Sequence, residues 1–512
     1  MRGGAASRSW RAVVLAVLAL FLSTAATGHV AAHGPVADLP ESPLRLSEPV
    51  EEVVADLDSF IPEYLNAERI PGASVALIRD GKVAWTQGYG VANKLTGKPV
   101  RGDTLFEAAS NSKVVTAYVA LRLADQGVLS LDEPLNAYLP EPWLQPSEYR
   151  DSVTLRHVLS HTSGLGHGIA NRDLLFVPGS GYSYSAGGYL YLQEVIEAVT
   201  GRSLDAVAEE MVFEPLGMPS SSYVNSAETA ARTANGHTRA VVPVLIFVVL
   251  LAASAIVVSL VGLTIVRVST GRWRPTHRMV LGATIAALVL ASLAALVLFS
   301  GIDLPKYGWL AMSCGWALAV ASGLALWVGW KVLSRLLPER TGARWALTLV
   351  WSAVVLTGLV ALMLSARNVP MPTGLPVEAS AAGTVRATAG DLALFLIELA
   401  DPQHLSSDLA EEMQSSQVAL SHDLSWGLGP GIQHSGEGDA LWQWGQAPGF
   451  QSVMMVYAES GAGVVVFTNN DWFNPDVAIA IAHRAMGGKI EPLRRATHLA
   501  FNYSGPFLEE AR

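Results

Sequence analysis

The chain has 512 residues, 51% of them hydrophobic and only 15% charged, with a mean hydropathy of +0.34. That composition excludes a disordered chain and an ordinary soluble enzyme throughout, and the formal net charge of −10 argues against a general nucleic-acid binder, which needs a basic face. Cys314 is the single cysteine, so no intrachain disulfide framework exists.

Arg2, Arg8 and Arg11 precede an apolar stretch at 12–22, and small residues follow through Ala32. This pattern predicts a secretory signal peptide or N-terminal anchor over 1–32. A polar block follows at 40–236. Its residues 73–79 (ASVALIR) and 82–87 (KVAWTQ) flank Asp80-Gly81, a two-residue hairpin signal. Such a hairpin is marginal in water by itself and needs further strands or helices against it.

Residues 106–117 read FEAASNSKVVTA, placing Ser110 and Lys113 in an S-x-x-K spacing before an apolar helical run. Positions i and i+3 share a helix face, so the lysine amine can sit beside the serine hydroxyl. Serine needs an adjacent base to become a nucleophile, and a lysine in a dry pocket can lose its proton and serve. The competing expectation is a serine N-cap followed by an exposed lysine. His157 and His161, in VTLRHVLSHTSGL at 153–165, are four apart, but no H-E-x-x-H and no third ligand accompany them. They are expected to be structural, and no metal is predicted.

Residues 241–266, 279–300, 308–330 and 345–366 contain no Asp, Glu, Lys or Arg, and each is long enough to cross about 30 Å of hydrocarbon. The region 241–366 is therefore expected to form four transmembrane helices. Arg267, Arg272, Arg274 and Arg278 follow the first stretch, and Lys331, Arg335, Arg340 and Arg344 follow the third. The positive-inside rule makes these two loops cytoplasmic and both flanking blocks extracytoplasmic. Trp309, Trp327, Trp330 and Trp345 lie near the stretch ends as interfacial anchors. The region holds 9 of the 34 basic and 2 of the 44 acidic side chains, leaving a net charge of −17 on the remainder.

A second polar block occupies 377–488. Residues 450–457 and 463–468 flank a short turn at Ser460-Gly461, and an apolar helix is expected over 476–486. Residues 427–431 (GLGPG) read as a turn, because no strand-loop-helix unit accompanies them. No G-x-S-x-G exists, which disfavours an α/β-hydrolase elbow. Residues 489–512 read as a C-terminal tail. N- and C-terminal hairpins sharing one sheet would make the two blocks a single domain interrupted by the membrane segment.

The runs 71–90, 106–117, 131–141, 153–165 and 178–192, resumed at 381–396 and beyond, together resemble the serine beta-lactamase and penicillin-binding-protein superfamily, in its class C-type branch. The resemblance implies an α+β beta-lactamase/transpeptidase-like domain: an antiparallel sheet flanked by helices, plus a helical subdomain. It further implies Ser110 as nucleophile, Lys113 as its helix-turn partner and Tyr184 as a proton-transfer group, made effective by nearby cations such as Lys113. Gln443, Trp444, Gly445 and Gln446 fall on the family's substrate-binding strand, and the backbone N–H groups of Ser110 and Gln446 would form the oxyanion hole. Two departures stand out. Ala186 replaces the asparagine of Y-x-N, and Gln443 replaces a lysine or histidine. Both remove contacts to a beta-lactam's amide and carboxylate. Gly445 is expected to let a substrate backbone approach the strand closely.

These readings converge on a membrane-embedded, extracytoplasmic serine hydrolase working through an acyl-enzyme on an ester or amide. Substrates would be D-amino-acid peptides, beta-lactams, short-chain esters or lipid-linked fragments, with membrane lipids as the other partner, no nucleic acid and no cofactor. A membrane sensor or binding protein with a penicillin-binding-like ectodomain is the alternative, weakened by the lack of a sizeable cytoplasmic output domain.

Overall fold

A computed structural model describes residues 42–168, 172–238, 369–370, 378–470, 476–489, 491–502 and 504–506. The signal or anchor segment 1–32 and the four apolar stretches of 241–366 lie outside the described residues. Among the described residues no helix is long and apolar enough to cross a membrane.

Helix α1 (Val50–Glu68) buries Val53, Leu57, Ile61 and Leu65, a four-residue repeat that makes one apolar stripe, and ends at Arg69 in left-handed backbone. Strands β1 (Gly72–Arg79) and β2 (Lys82–Asn93) form the first hairpin. Its corner residues Asp80 and Gly81 both have positive φ, as a type I′ turn requires. β2 runs six residues past the expected strand, through Gly88 and Gly90. A β-carbon on Gly88 would meet the backbone of Val100 at 2.7–2.8 Å, so the glycine serves close strand approach rather than a turn. After β3 (Lys98–Pro99) come helix α2 (Asn111–Asp125), the short α3 (Leu155–Leu159), strand β4 (Gly181–Ser183) and helix α4 (Ala186–Thr200).

The second block supplies helices α5 (Ala389–Ala400) and α6 (Ser407–Gln414), strands β5 (Val418–Ser421), β6 (Leu424–Trp426), β7 (Gly431–Gln433), β8 (Ala440–Ala447), β9 (Phe450–Tyr457) and β10 (Ala462–Thr468), and helix α7 (Val477–Met486). The sheet has nine strands in the order β3-β2-β1-β10-β9-β8-β7-β6-β5, and all its pairings are antiparallel. The two blocks join where β1 pairs with β10, from Ala73 opposite Thr468 to Ile78 opposite Gly463.

Every residue of β1, β9 and β10 is buried, because both faces of the sheet are covered. Alternation along β1 sends Ala76 and Ile78 toward α5 and the helical part, and Ala73, Val75 and Leu77 toward α1 and α7. The result is an α+β domain of helix, sheet and helix layers. The stretch read as a C-terminal tail is structured in part: α8 (Glu491–Asn502) precedes β11 (Ser504–Pro506), which pairs with β4 immediately before Tyr184.

Candidate active site

Ser110 stands at the N-terminal end of α2, but its hydroxyl makes no capping bond to the helix. Lys113 is 3% exposed, so the expectation of a serine cap with an exposed lysine fails on both counts. Instead, Lys113 Nζ lies 3.1 Å from Ser110 Oγ and donates to the carbonyl of Ala382 at 2.7 Å, a contact supplied by the second block. Burial of the amine lowers its pKa from the ordinary lysine value to about 7, so near neutrality a large fraction is the free base.

The backbone entering this site is strained. Ala109, just before the serine, has φ 49°, a left-handed conformation that costs a residue with a β-carbon about 1–2 kcal/mol. The Ser112 hydroxyl holds it by donating to Ala109 O at 2.6 Å. Strand β8 holds it from the other side. A β-carbon on Gly445 would meet Ala108 O at 2.3 Å and Ser452 Oγ at 2.4 Å. The close approach at Gly445 is therefore first of all that of the chain's own segment 108–109, which corrects the expectation that the glycine serves the substrate. Ser452 Oγ in turn donates to Ala108 O and accepts from Asn111 Nδ2, both at 2.8 Å.

β8 pairs with β7 only from Ala440 to Trp442, while its pairing with β9 runs on to Ala447. Residues 443–447 thus present a strand edge beside the serine. Gln443 and Trp444, expected to touch substrate, are both buried and both committed to Tyr184. Gln443 Nε2 donates to the Tyr184 hydroxyl at 2.8 Å and to Trp444 O at 2.8 Å. The Trp444 ring stacks on the phenol with centroids 5.1 Å apart. Gln446 is half-buried on the same edge.

Tyr184 is 1% exposed and hydrogen-bonded to Ser110 as well as Gln443. Burial pushes its phenol pKa up, against the smaller opposing effect of those bonds. Lys113 Nζ lies 5.1 Å from its ring centre. Burial therefore favours the protonated phenol and the neutral amine, so Lys113 serves Tyr184 less as the expected cation than as the neighbouring base. Because the phenol oxygen accepts from Gln443, its own proton is available toward Ser110 and whatever is bound there. Ala186 follows within the first turn of α4, after the N-cap Ser185.

His157 and His161 do not form a metal pair. His157 closes the capping box of α3 with Thr154, and His161 packs against Tyr184. Among the described residues no group of three or more His, Cys, Asp or Glu could hold a metal ion. Sequence reading missed the Ser425, His434 and Asp439 array on β6 and the β7–β8 connection: Ser425 Oγ is 2.8 Å from His434 Nε2, and His434 Nδ1 is 2.9 Å from Asp439 Oδ2. These are triad distances, yet Ser425 is 1% exposed inside a sheet strand, where a carbonyl carbon has no access. Ser110, by contrast, is half-buried at the free edge of β8.

The sequence profile of the Beta-lactamase family matches residues 57–486. Esterase EstB of Burkholderia gladioli is 33% identical over 217 residues, covering 36% of this chain and 55% of EstB. Protein flp of Staphylococcus aureus is 27% identical over 204 residues, covering 35% of this chain and 40% of that protein. The chain thus spans about half the length of the curated relatives it matches. Among solved structures, a class C beta-lactamase superposes with a TM-score of 0.54 at 16% identity, covering 86% of this chain and 97% of that one. EstCE1, a hydrolase with promiscuous acyltransferase activity, gives 0.53 at 16% identity, covering 85% and 98%. The D-amino acid amidase from Ochrobactrum anthropi gives 0.52 at 17% identity, covering 87% and 99%. These structural likenesses establish the beta-lactamase/transpeptidase-like fold. The chain belongs to the beta-lactamase family.

Proposed function

We propose that this member of the beta-lactamase family is a serine hydrolase of small neutral esters or amides that works through an acyl-enzyme on Ser110. The observation that carries this is the buried Lys113 amine 3.1 Å from the Ser110 hydroxyl, its pKa lowered to about 7. Ser110 Oγ attacks the carbonyl carbon while its proton passes to the free amine of Lys113. The oxyanion is held by the backbone N–H groups of Ser110 and Gln446. As the tetrahedral species collapses, Tyr184 gives its proton to the departing oxygen or nitrogen and is reprotonated by the Lys113 ammonium, which returns to the free amine. Water then attacks the acyl ester, its proton passing to the free amine of Lys113, and Ser110 Oγ takes that proton back as the acid leaves.

The substrate class follows from what the site lacks. Ala186 brings no amide, and Gln443 brings a neutral donor already given to Tyr184 rather than a cation for a carboxylate. Esters are the preferred reading over beta-lactams for that reason, and the relative named an esterase is in keeping with it. The catalytic domain is placed outside the cytoplasm, tethered by four membrane crossings within 241–366. That placement rests on the apolar stretches and the two arginine-rich loops between them.

The test is steady-state turnover of p-nitrophenyl acetate and of a chromogenic cephalosporin. The proposal expects the ester to be preferred, with Lys113→Ala and Tyr184→Phe each slowing acylation about 10²–10⁴-fold. Cephalosporin turnover exceeding ester turnover would contradict the substrate class. Near-wild-type acylation in both variants would remove the two residues from the mechanism.

A further inference from the structure

Among the described residues, His161 touches the Tyr184 segment on both sides and across its ring. Its carbonyl oxygen accepts the N–H of Ser183 at 2.9 Å, and its ring Nδ1 accepts the N–H of Ser185 at 3.0 Å. The imidazole and phenol ring centres are 4.4 Å apart. We propose that His161 is a positioning residue for Tyr184, fixing the phenol beside Ser110 by gripping the amides that precede and follow it. This rests on the reading of Tyr184 as the proton donor to the leaving group.

The chain maintains this arrangement at a cost. His161 has φ 58°, left-handed backbone in a residue with a β-carbon, costing about 1–2 kcal/mol. It is fully enclosed, with the rings of Trp426, Tyr189 and Tyr182 at 5.0, 5.4 and 6.2 Å. Because Nδ1 accepts from a backbone N–H, the neutral ring carries its proton on Nε2. That nitrogen has no hydrogen-bond partner among the described residues. A leucine or phenylalanine would fill such an aromatic cage without burying an unpaired polar atom, a defect that costs about 1–3 kcal/mol. A role in packing alone leaves the histidine unexplained. An acceptor for the Ser185 amide explains it. Burial, reinforced by the neighbouring Lys113, holds the imidazole neutral, the only form that can accept that bond.

Three substitutions separate positioning from packing. His161→Asn places an oxygen near the Nδ1 position and tolerates left-handed backbone. His161→Gly keeps the backbone and removes only the ring. His161→Leu refills the cage without an acceptor. For p-nitrophenyl acetate, the Gly and Leu variants should lose about 10–100-fold in kcat with KM changed less than about threefold, the scale of a catalytic group displaced by a fraction of an ångström to 1 Å. The Asn variant should recover to within about threefold of the wild-type protein. In a Tyr184→Phe background the Leu and Gly changes should cause no further loss, because they act through the phenol. Wild-type kcat in the Gly or Leu variant, or losses that multiply with that of Tyr184→Phe, would overturn the proposal. So would an Asn variant no better than Leu. Should the Leu variant not fold, the Asn and Gly pair decides the matter on the same criteria. Absence of any Ser110 adduct in the wild-type protein would overturn the functional reading itself and this proposal with it, whereas a normal adduct with unaffected His161 variants would overturn this proposal alone.

Discussion

The side-chain amide of Gln443 donates to the phenol oxygen of Tyr184 at 2.8 Å, joining two residues 259 positions apart. A neutral donor at this point leaves the phenol a weak acid that keeps its proton, where a cation would draw it toward phenolate. Gln443→Leu removes the neutral hydrogen bond to Tyr184, along with that to Trp444 O; the loss at the phenol, worth about 0.5–1.5 kcal/mol, should lower ester kcat/KM about two- to twelvefold. Gln443→Lys should shift preference toward carboxylate-bearing substrates about 10–100-fold, the value of a charge-assisted bond. The ratio of kcat/KM for a carboxylate ester to that for its methyl-capped analogue measures this. An unchanged ratio would show that position 443 does not set specificity.

The buried amine of Lys113 predicts a rising acid limb. Below about pH 7 the group is an ammonium and cannot take the serine proton, while above it the free amine can. kcat/KM should therefore climb through pH 6–8, and a limb centred above pH 9 would show that Lys113 is not the resting base. Stability has a linked sign. The unfolded lysine titrates at its ordinary high value and the folded one near 7, so between them the unfolded chain binds more protons and stability rises with pH. Lys113→Met should accordingly stabilise the protein more at pH 6 than at pH 10, as thermal melting at the two pH values would report. A larger gain at pH 10 would reverse the assignment.

Much of the fold was legible in local chemistry. Asp80-Gly81 marks a hairpin because only such residues accept two positive φ values in succession, and the apolar run after residue 476 is helix α7 from Val477. The extent of β2 was not legible, since the strand signal stops at Gln87 and nothing local shows that Gly88 continues it against Val100. In the site, Ser110 and Lys113 were readable because they lie one helical turn apart. The commitments of Gln443 to Tyr184 and of His161 to the amides flanking it were not. They join residues distant in sequence, and nothing in the local pattern of either marks its partner.

Gly445 predicts a steric test. A β-carbon there meets the carbonyl oxygen of Ala108, which cannot swing aside as a flexible side chain would. Gly445→Ala should destabilise the fold by about 1–3 kcal/mol and, by displacing the segment that carries Ser110, cut ester hydrolysis about a hundredfold or more. Thermal unfolding and turnover measured together check this. A variant with the wild-type melting point and rate would show that β8 and residues 108–109 are not locked together.

The proposed topology is tested by thiol labelling in whole cells, in a Cys314→Ser background. Cysteines at the exposed positions Glu228 and Glu437 should react with an impermeant probe, and a cysteine at Ser269, between the first two apolar stretches, should not. Labelling at 269 with protection at the other two would place the catalytic domain in the cytoplasm.

The central claim is that Ser110 is the covalent nucleophile. Its most direct test is intact-mass analysis after treatment with a fluorophosphonate, followed by peptide mapping, on the wild-type protein, Ser110→Ala and Ser425→Ala. One adduct is predicted in the wild-type protein, mapped to Ser110, absent from Ser110→Ala and unchanged in Ser425→Ala, whose hydroxyl is sealed beside His434. An adduct that persists in Ser110→Ala, or that vanishes in Ser425→Ala, would contradict the account.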